Sequence, residues 1–446
     1  MKKVDVLYLY EHVARELDVA CAVKSIAEKH FGVHIELVHF PGGMGEAFAK
    51  FKPQTVLISH CYSAKNYHSI LLEWRNSTFV NLSWEQLLSR ATQEEKAPAD
   101  IFAKECVVHQ AWSDEFAEFL KDHDVVENNI FINGQPAYML YKEPYRHFFC
   151  DRKELAKQSN LDENKRWIFF PENFWRGFYT DDEIDMLASQ GYDRKRACEM
   201  RDHARASMQE IMQWCTEVEK YDDIELIIRP RPATPLNDFI DTVNKIIDNV
   251  PRQIHFIKDG SVREWILASD LVISSYSTSL VEAAIAGKAA YLLKPLPLAD
   301  YLYVDWFDYI KHITTREEFC NSCLDGVDVS STDELKDWTE RVLLSRGDPI
   351  YNLAGYLAHL TKNTVTKNKI TRKMVTKPGR LPLPKWMIYE YRKITQKKIR
   401  RQLKNLNDIR HECDQLEQQE INYRIEKWAD FLTGYEYIFN RKDESK

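Results

Sequence analysis

Residues 271–293, LVISSYSTSLVEAAIAGKAAYLL, decide our prediction of the fold. The stretch opens as an apolar run of strand type, turns through a cluster of hydroxyl side chains, and continues as a helix-like segment with one acid, Glu282. A second apolar run, AAYLL (289–293), closes it. A strand, a helix and another strand within this length are typical of a βαβ unit in a parallel sheet.

Four hydroxyl side chains stand at the corner between the first strand and the helix: Ser275, Ser277, Thr278 and Ser279. Ligands of doubly wound sheets bind beyond the carboxyl ends of the strands. A helix N-terminus at that edge offers N–H groups and a partial positive charge, which suit phosphate. A helix cap explains any one of these hydroxyls, but the whole cluster predicts phosphate binding. Glu282, in the first helical turn, is then predicted to accept hydrogen bonds from sugar hydroxyls.

A second polar corner follows the apolar run IELIIRP (224–230), where Arg229 and Arg231 are each followed by a proline. Proline stiffens a turn and removes a competing N–H group, and a guanidinium fork suits phosphate or carboxylate. Both corners lie at strand ends of the same predicted sheet. We therefore predict that they face one cleft, which holds an anionic nucleotide-linked donor.

Strands and helices alternate along most of the chain. VDVLYLY (4–10) and TVLISH (55–60) are strand-like runs of a first series, and RWIFFP (166–171) opens a second. This rhythm predicts an α/β protein with two mostly parallel sheets. The predicted domains are a Rossmann-like acceptor domain over 1–145, a Rossmann-like donor domain over 160–350 and a basic helical extension over 351–446.

The composition favours a cytoplasmic protein. The 446 residues contain no apolar run near the roughly 20 residues that a membrane span requires. The start, MKKVDVLYLYEH, leads straight into a strand, so we predict no signal peptide. The nine cysteines are scattered, and the pair Cys320 and Cys323 has no second pair to complete a zinc site. We predict reduced thiols, no metal, and no cofactor besides the donor, which is a co-substrate.

The net charge of −7 conceals a basic segment. Residues 361–410 carry 16 Lys and Arg against two acids, Glu390 and Asp408, for a net +14, while the rest of the chain carries −21. The acidic body and the lack of a recognised nucleic-acid module argue against nucleic acid as a partner. The segment predicts either solvated helices that brace the domains or a basic, aromatic-bearing surface for anionic lipid at the inner face of the cytoplasmic membrane.

Several motifs resemble a known family. YSTSLVEAAIAGKAA (276–290), within a second Rossmann-like domain, is similar to GT-B glycosyltransferases. In those enzymes a Ser/Thr-rich turn and a downstream Glu hold the phosphate and the ribose of the donor. YEHVARELD (10–18), FFPENFWRGFYTDDEI (169–184) and RPRP (229–232) resemble bacterial surface carbohydrate biosynthesis proteins. Those are similar to the retaining β-Kdo transferases of capsule and lipopolysaccharide assembly, which use CMP-linked 3-deoxy-manno-octulosonic acid (Kdo).

The resemblance covers about residues 1–350 and has one departure. Enzymes that use CMP-linked acidic sugars often carry a His-Pro step where this chain has Arg231-Pro232. An arginine binds phosphate, but it does not donate a proton at neutral pH. The resemblance therefore implies a phosphate-binding role for Arg231 and no acid role.

Glycosyl transfer requires a carboxylate near the anomeric carbon, as a base or as a covalent nucleophile. The GT-B resemblance implies that the exits of the first strand of each domain face each other across a cleft. Glu11 and Asp18 follow the first strand of the first domain, and Glu172 follows that of the second. We predict that one of these three is catalytic. The alternative is ordinary acidic residues at a helix start.

Other polar residues at the same two exits are candidate sugar contacts. Arg15 is predicted either to meet the carboxylate of an acidic sugar or to pair with Glu16, and Asn173 joins it as a candidate contact. His39 and His60, at the ends of two further strands, are weaker candidates on the acceptor side.

The sequence therefore predicts a GT-B glycosyltransferase of bacterial surface polysaccharide assembly, transferring Kdo or a related ulosonic acid from a CMP-sugar to a glycan or glycolipid acceptor. Two alternatives remain open. One keeps the fold and uses a UDP- or GDP-sugar or a CDP-linked polyol phosphate. The other is a non-catalytic subunit that binds nucleotide or glycan.

Overall fold

Two compact units make up the chain. The computed structural model describes residues 1–40, 42–189, 191–231, 234–362, 370 and 416–439. Of the described residues, those up to 140 and those from 341 onward form the first unit, and those from 141 to 340 form the second. The predicted domains placed residues 341–350 in the donor domain and the later ones in a separate extension, whereas the described residues from 341 onward group with the first unit.

The first unit is built on a six-stranded sheet of order β2-β1-β3-β4-β5-β6, in which every pair is parallel. Its strands are β1 Lys2–Tyr10, β2 Ile35–His39, β3 Phe51–Ile58, β4 Thr78–Asn81, β5 Val107–Ala111 and β6 Ile130–Ile132. The central strands β1 and β3 are apolar in near-continuous runs, and Leu7 and Val56 are fully buried. This composition is expected of parallel strands covered on both faces.

In the described part of the chain, five helices lie between these strands and a sixth follows β6: α1 Asp18–Phe31, α2 Met44–Lys50, α3 His68–Trp74, α4 Arg90–Glu95, α5 Asp114–Asp122 and α6 Pro136–Met139. A single π-helical turn, Val13–Leu17, precedes α1; such turns are frequent at functional sites. The helix α1 ends at Gly32, whose φ of 65° is left-handed, a conformation that glycine adopts without the strain a Cβ atom would bring.

The second unit contains a parallel sheet of order β12-β11-β10-β7-β8-β9. Its strands are β7 Arg166–Pro171, β8 Ile224–Arg229, β9 Ile254–Phe256, β10 Leu271–Ser274, β11 Ala289–Leu293 and β12 Lys311–Ile313. Its helices are α7 Arg152–Ser159, α8 Asp181–Ser189, α9 Arg194–Cys215, α10 Leu236–Val243, α11 Val262–Ala268, α12 Ser279–Ile285 and α13 Arg316–Phe319. The core packs Ile228 and Ile273 of the central strands against Ile211 of α9.

The C-terminal part of the chain returns to the first unit. The boundary falls within α14 Asp333–Leu343, and the helices α15 Pro349–Lys362 and α16 Gln418–Thr433 both pack against α1. The basic segment 361–410, apart from its first two residues and Ile370, lies outside the described residues. Within the part of the chain that the structure describes, no helix is long and apolar enough to cross a membrane.

Candidate functional site

The strand order of the second unit marks one edge of its sheet as a ligand site. The strands β8 and β9 lie on one side of β7, and β10, β11 and β12 lie on the other. The connections therefore run in opposite directions from β7 and β10, and sheets of this kind bind ligands beyond the carboxyl ends of two such strands. The loops after β7, β8 and β10 meet there, and they contain the residues that the sequence predicted to bind the donor.

Asn173 joins the three loops. Its Oδ1 accepts a hydrogen bond from Nη1 of Arg231 at 3.0 Å, and its Nδ2 donates to the backbone carbonyl of Tyr276 at 3.3 Å. The Arg231 guanidinium also lies 5.4 Å from the centre of the Trp175 ring. The two corners predicted to share a cleft thus lie in contact at the edge of one sheet.

The buried Glu172 carboxylate connects the loops after β7 and β8 by hydrogen bonds. Its side chain is buried, Oε1 accepts from the backbone N–H of Arg231 at 2.9 Å, and Oε2 accepts from that of Phe174 at 2.7 Å. Burial raises the pKa of Glu172, and these backbone donors oppose the rise. Because both oxygens are engaged inside the protein, we assign Glu172 a positioning role and leave it out of the catalytic candidates.

Arg229 is buried beneath the same corner. Its Nη2 donates to the carbonyl oxygens of Lys258 at 3.0 Å and Gly260 at 2.8 Å. The guanidinium thus holds the loop between β9 and α11, so we assign it to the support of the site and leave phosphate contact to Arg231.

The hydroxyl side chains of the cluster differ in their hydrogen-bond partners. Ser275 is buried, and its Oγ has no hydrogen-bond partner among the described residues. Oγ of Ser277 donates to Oγ of Ser279 at 3.2 Å and accepts from its backbone N–H at 3.3 Å. Thr278 precedes α12 and makes no side-chain cap. A buried hydroxyl without a partner is expensive, so Ser275 is the hydroxyl of this cluster best suited to a ligand.

Glu282 belongs to a small polar group that the sequence did not predict. The Tyr141 hydroxyl donates to its Oε2, and the Arg263 guanidinium lies 5.4 Å from the centre of the Tyr141 ring. Burial raises the pKa of Glu282, while the Tyr141 hydrogen bond and the charge of Arg263 oppose the rise. Tyr141 lies 141 positions away in the sequence, so no local motif connects the two residues.

The sheet of the first unit has its own switch point, between β1 and β3. Glu11 leaves β1 there, and its Oε2 lies 3.4 Å from Nδ1 of His60, which follows β3; the Glu11 side chain is 25% exposed. The His60 hydrogen bond lowers the pKa of Glu11, although burial acts in the opposite direction. His39 Nε2 lies 3.2 Å from the backbone carbonyl of Glu11. Glu11 is therefore an ionised and accessible carboxylate with two histidines beside it.

Glu16 fixes this corner from inside. It is fully buried, and its Oε2 accepts from the backbone N–H of Glu11 at 2.9 Å and from Oγ of Ser59 at 2.7 Å. Its Oε1 accepts from Nη2 of Arg15 at 2.8 Å. The sequence left Arg15 between a sugar carboxylate and Glu16, and the structure shows the pairing with Glu16.

Asp18, at the start of α1, holds the C-terminal helix α16. Its oxygens accept from Nε and Nη2 of Arg424 at 2.7 and 2.9 Å, and from Nε1 of Trp428 at 2.9 Å. A buried carboxylate with this set of partners anchors a helix. We therefore remove Asp18 from the catalytic candidates, which leaves Glu11.

No protein-family model and no curated protein matches the chain, but solved structures match its fold. A protein from Listeria monocytogenes named as a UDP-N-acetylglucosamine 2-epimerase is 15% identical, with a TM-score of 0.51 over 83% of this chain and 100% of that one. MnaA of S. aureus, solved with UDP, is 11% identical, with a TM-score of 0.52 over 82% and 100%. A variant of the wall teichoic acid polymerase TagF is 12% identical, with a TM-score of 0.51 over 80% and 88%. At these identities the likeness concerns the fold alone, and it confirms the predicted GT-B fold.

Proposed function

We propose that this chain is a glycosyltransferase that takes a sugar from a nucleotide-linked donor and acts in the assembly of a bacterial surface polysaccharide. One observation carries the proposal: Asn173 joins Arg231 and Tyr276 at the switch point of a Rossmann-type sheet. An arginine, a bridging amide and the unpartnered Ser275 hydroxyl at that edge suit the phosphate of a nucleotide.

The donor's ribose is assigned to Glu282. This carboxylate lies in the helix α12, which directly follows the corner, and the Tyr141 hydroxyl orients it by a hydrogen bond. Carboxylate oxygens accept hydrogen bonds from two vicinal hydroxyls, which is the pattern that a ribose presents. Arg231 and Ser275 then hold the phosphate, and Asn173 fixes the Arg231 fork.

The chemistry is assigned to Glu11 of the first unit. The hydrogen bond from His60 lowers the pKa of this carboxylate, and a general base or a nucleophile acts in its ionised form. Glu16 holds the Glu11 backbone and Arg15 in place from the interior. His39 and His60 border the same corner, and we assign them to acceptor hydroxyls.

The donor is proposed to be CMP-Kdo or a related CMP-linked ulosonic acid, on the strength of the motif resemblance over residues 1–350. Proteins of the same fold have been solved with UDP, in MnaA, and with CDPG, in TagF. A UDP- or GDP-sugar and a CDP-linked polyol phosphate are therefore the alternatives. The acceptor is proposed to be a glycan or glycolipid, reached at the inner membrane face through the basic segment 361–410.

Nucleotide release from candidate donors tests the function. The purified chain is incubated with a CMP-linked ulosonic acid, a UDP-sugar, a GDP-sugar and CDP-glycerol, with water or added glycans as acceptor, and free nucleotide is separated by chromatography. We expect release of CMP from the ulosonate donor and its loss in Glu11→Gln. Glu118→Gln, a 66% exposed carboxylate on α5 of the same unit, is the matched control. Release from no donor, or release that Glu11→Gln leaves intact, would contradict the proposal.

A further inference from the structure

The loop after β4, residues 82–89, is fixed in place at the same edge of the first sheet as Glu11. Asn81, the last residue of β4, accepts a hydrogen bond from the backbone N–H of Ser83 at 3.1 Å and donates to its Oγ at 2.8 Å. Ser83 adopts a left-handed φ of 49°, which is uncommon for a residue other than glycine. Backbone strain of this kind occurs most often where a functional site requires a fixed geometry.

The buried amide of Gln86 connects the same loop to β5. Its Nε2 donates to the backbone carbonyls of Ser83 at 3.1 Å and Gln110 at 2.9 Å. Its Oε1 accepts from the backbone N–H of Trp112 at 2.8 Å. The loop is therefore a rigid support for Glu85, which lies between Ser83 and Gln86 in the sequence.

Glu85 extends this edge of the sheet with a second accessible carboxylate. Its side chain is 44% exposed, Oε2 pairs with Lys96, and Oε1 lies 3.5 Å from Nη1 of Arg15. Arg15 also pairs with Glu16, which holds the backbone of Glu11. Burial acts to raise the pKa of Glu85, but the charges of Lys96 and Arg15 outweigh it and lower the pKa. Glu85 is thus an ionised carboxylate that has used two of its about four acceptor positions.

Tyr62 contributes an aromatic ring and a hydroxyl group to the same place. It lies two residues after His60, and the two rings stack with their centroids 5.5 Å apart and their planes at 29°. Within the described part of the chain, no residue forms a hydrogen bond with the Tyr62 hydroxyl. Burial raises the pKa of Tyr62, so its hydroxyl remains a hydrogen-bond donor at neutral pH.

Tyr62, Glu85 and Lys96 border one cavity, and we call these three residues the Tyr62 corner. The buried Asn81 and the ring of Phe116 form part of the other walls. The cavity has a volume of about 20 Å³, which is room for about one water molecule. It therefore takes one substituent of a ligand, while the remainder of the ligand lies against the accessible parts of Tyr62 and Glu85.

Hydroxyl groups suit the Tyr62 corner better than an anion does. Lys96 pairs with Glu85. Arg15 pairs with Glu16 and contacts Glu85. Both cations therefore already have carboxylate partners, and a phosphate or carboxylate ligand would be repelled by these neighbours. A sugar instead offers hydroxyl donors to the Glu85 oxygens and an apolar C–H face to the Tyr62 ring.

We propose that the Tyr62 corner binds a neutral sugar residue of the acceptor, with Glu85 accepting hydrogen bonds from its hydroxyls and Tyr62 packing against its ring. His60 contacts both Glu11 and Tyr62, so this sugar lies beside the carboxylate to which the chemistry is assigned. The inference rests on the proposed function. It narrows the acceptor from any glycan or glycolipid to one whose reacting end is a neutral sugar.

Transfer to simple glycosides tests the proposal. The full chain receives the donor from which it releases nucleotide, together with the methyl glycosides of glucose, galactose and N-acetylglucosamine as neutral acceptors, or methyl glucuronide and glycerol phosphate as anionic ones. Mass spectrometry measures the product, and kcat and KM are determined for each acceptor. We expect at least one neutral glycoside to have a kcat/KM about tenfold above that of either anionic acceptor.

Glu85→Gln should raise the KM of that neutral glycoside about tenfold, with less effect on kcat, because a charge-assisted hydrogen bond in the acceptor site is lost. Glu118→Gln is the matched control, since it removes an exposed carboxylate that also pairs with a lysine, and it should leave the KM unchanged. Tyr62→Ala, which removes the ring, should also raise the KM, and it tests the site independently if Glu85→Gln does not fold.

Binding of the same glycosides without donor, measured by ligand-observed NMR, separates this inference from the proposed function. Preference for the anionic acceptors, a KM that Glu85→Gln leaves unchanged, or donor turnover with no glycoside bound or used overturns the neutral-sugar site and leaves the proposed function standing. Binding of a neutral glycoside that depends on Glu85, without turnover of any donor, keeps the site and overturns the function. Neither binding nor turnover overturns both.

Discussion

Glu11 and Glu172 each follow the first strand of a sheet, yet their carboxylates meet different partners. Glu11 meets an imidazole and remains accessible, whereas Glu172 is buried against backbone N–H groups. Asp18, only seven positions after Glu11, is held by a helix from the other end of the chain. Residue type and position after a strand therefore predicted three candidates, and the hydrogen-bond partners separate them.

Removal of the Glu11 charge is the most direct residue-scale prediction. Glu11→Gln keeps the shape of the side chain but loses the charge that faces His60, so we expect the melting temperature to fall by no more than about 2 °C, since partly exposed substitutions of this kind change stability little. Turnover of the donor should fall at least about 100-fold, because a positioned general base contributes that much or more. Initial rates of nucleotide release and thermal unfolding of the same samples measure both quantities.

Glu172→Gln is predicted to lower the stability of the protein, in contrast to Glu11→Gln, whose main effect is on turnover. A glutamine places N–H donors where backbone N–H groups already point, so a buried donor is left without an acceptor, at about 1–3 kcal/mol of unfolding free energy. Chemical denaturation measures this loss. A stable Glu172→Gln protein with abolished turnover would return Glu172 to the catalytic candidates.

The pH dependence of turnover follows from the Glu11–His60 contact. The His60 hydrogen bond lowers the pKa of Glu11 below its usual 4.5, so the carboxylate stays active until the pH falls through that lowered value. His60→Phe removes the hydrogen bond, and the acidic limb of the rate profile should move to higher pH. The free energy of unfolding depends on pH in the same direction as turnover. The stabilisation by the Glu11–His60 hydrogen bond is present above pH 4.5 and is lost as the pH falls through the folded-state pKa of Glu11.

Rate profiles of the parent chain, His60→Phe and the control His123→Phe measure this shift. His123 pairs with Glu94 outside the switch point, so its replacement should leave the acidic limb in place. An identical limb in all three proteins would contradict a role for His60 in setting the charge of Glu11.

At the scale of the elements, apolar runs predicted most strands, whereas a short strand with polar residues was not predicted. β7 and β11 lie where RWIFFP and AAYLL predicted them. β12, Lys311–Ile313, was missed, because two of its three residues are polar and the strand exists only through pairing with β11. Within the helical extension predicted over 351–446, the structure describes a helix that ends at Lys362 and another from Gln418 to Thr433, and residues 363–369 and 371–415 lie outside the described residues. A short polar strand such as β12 depends on its tertiary neighbours, which override local propensity.

The helix α16 provides an element-scale prediction, because its attachment to α1 depends on Asp18. Arg424→Met leaves one buried carboxylate with less compensation. We expect a loss of about 1–3 kcal/mol of unfolding free energy, less than for a fully buried pair, because the Arg424 side chain is 35% exposed. Chemical denaturation measures the loss, with the exposed Lys427→Met on the same helix as the control. Equal stability of the two variants would show that the Asp18 contact does not anchor α16.

At the scale of the whole molecule, the alternation of strands and helices predicted two parallel sheets, but the strand order came only with the structure. The order places the β7, β8 and β10 exits side by side, and so brings Asn173, Arg231 and Tyr276 together. Pairs separated by 58 and 103 positions leave no local pattern, so the sequence predicted Asn173 as a sugar contact but did not predict that it joins the two corners.

Hydrogen exchange provides a prediction for the whole chain. The proposed donor site belongs to the second unit, so saturating nucleotide should slow amide exchange most in peptides covering 172–178 and 275–282, because binding restricts local opening of the site. Peptides from α5, Asp114–Asp122, serve as the internal control and should be unaffected. Equal protection of α5 and the donor loops, or protection confined to α5, would place nucleotide binding elsewhere.

The central claim, that the Arg231 corner binds a nucleotide, is tested most directly by thermal unfolding with CMP, UMP, GDP and UDP. A ligand at about 100 times its Kd stabilises the folded state by about 2.7 kcal/mol, which raises the melting temperature by about 5 °C. We predict this shift with CMP, its loss in Arg231→Met, and its retention in Arg252→Met, a 79% exposed arginine of the same unit. A shift with UDP or GDP instead would keep the corner and change the donor. No shift with any nucleotide, or a shift that survives Arg231→Met, would contradict the claim.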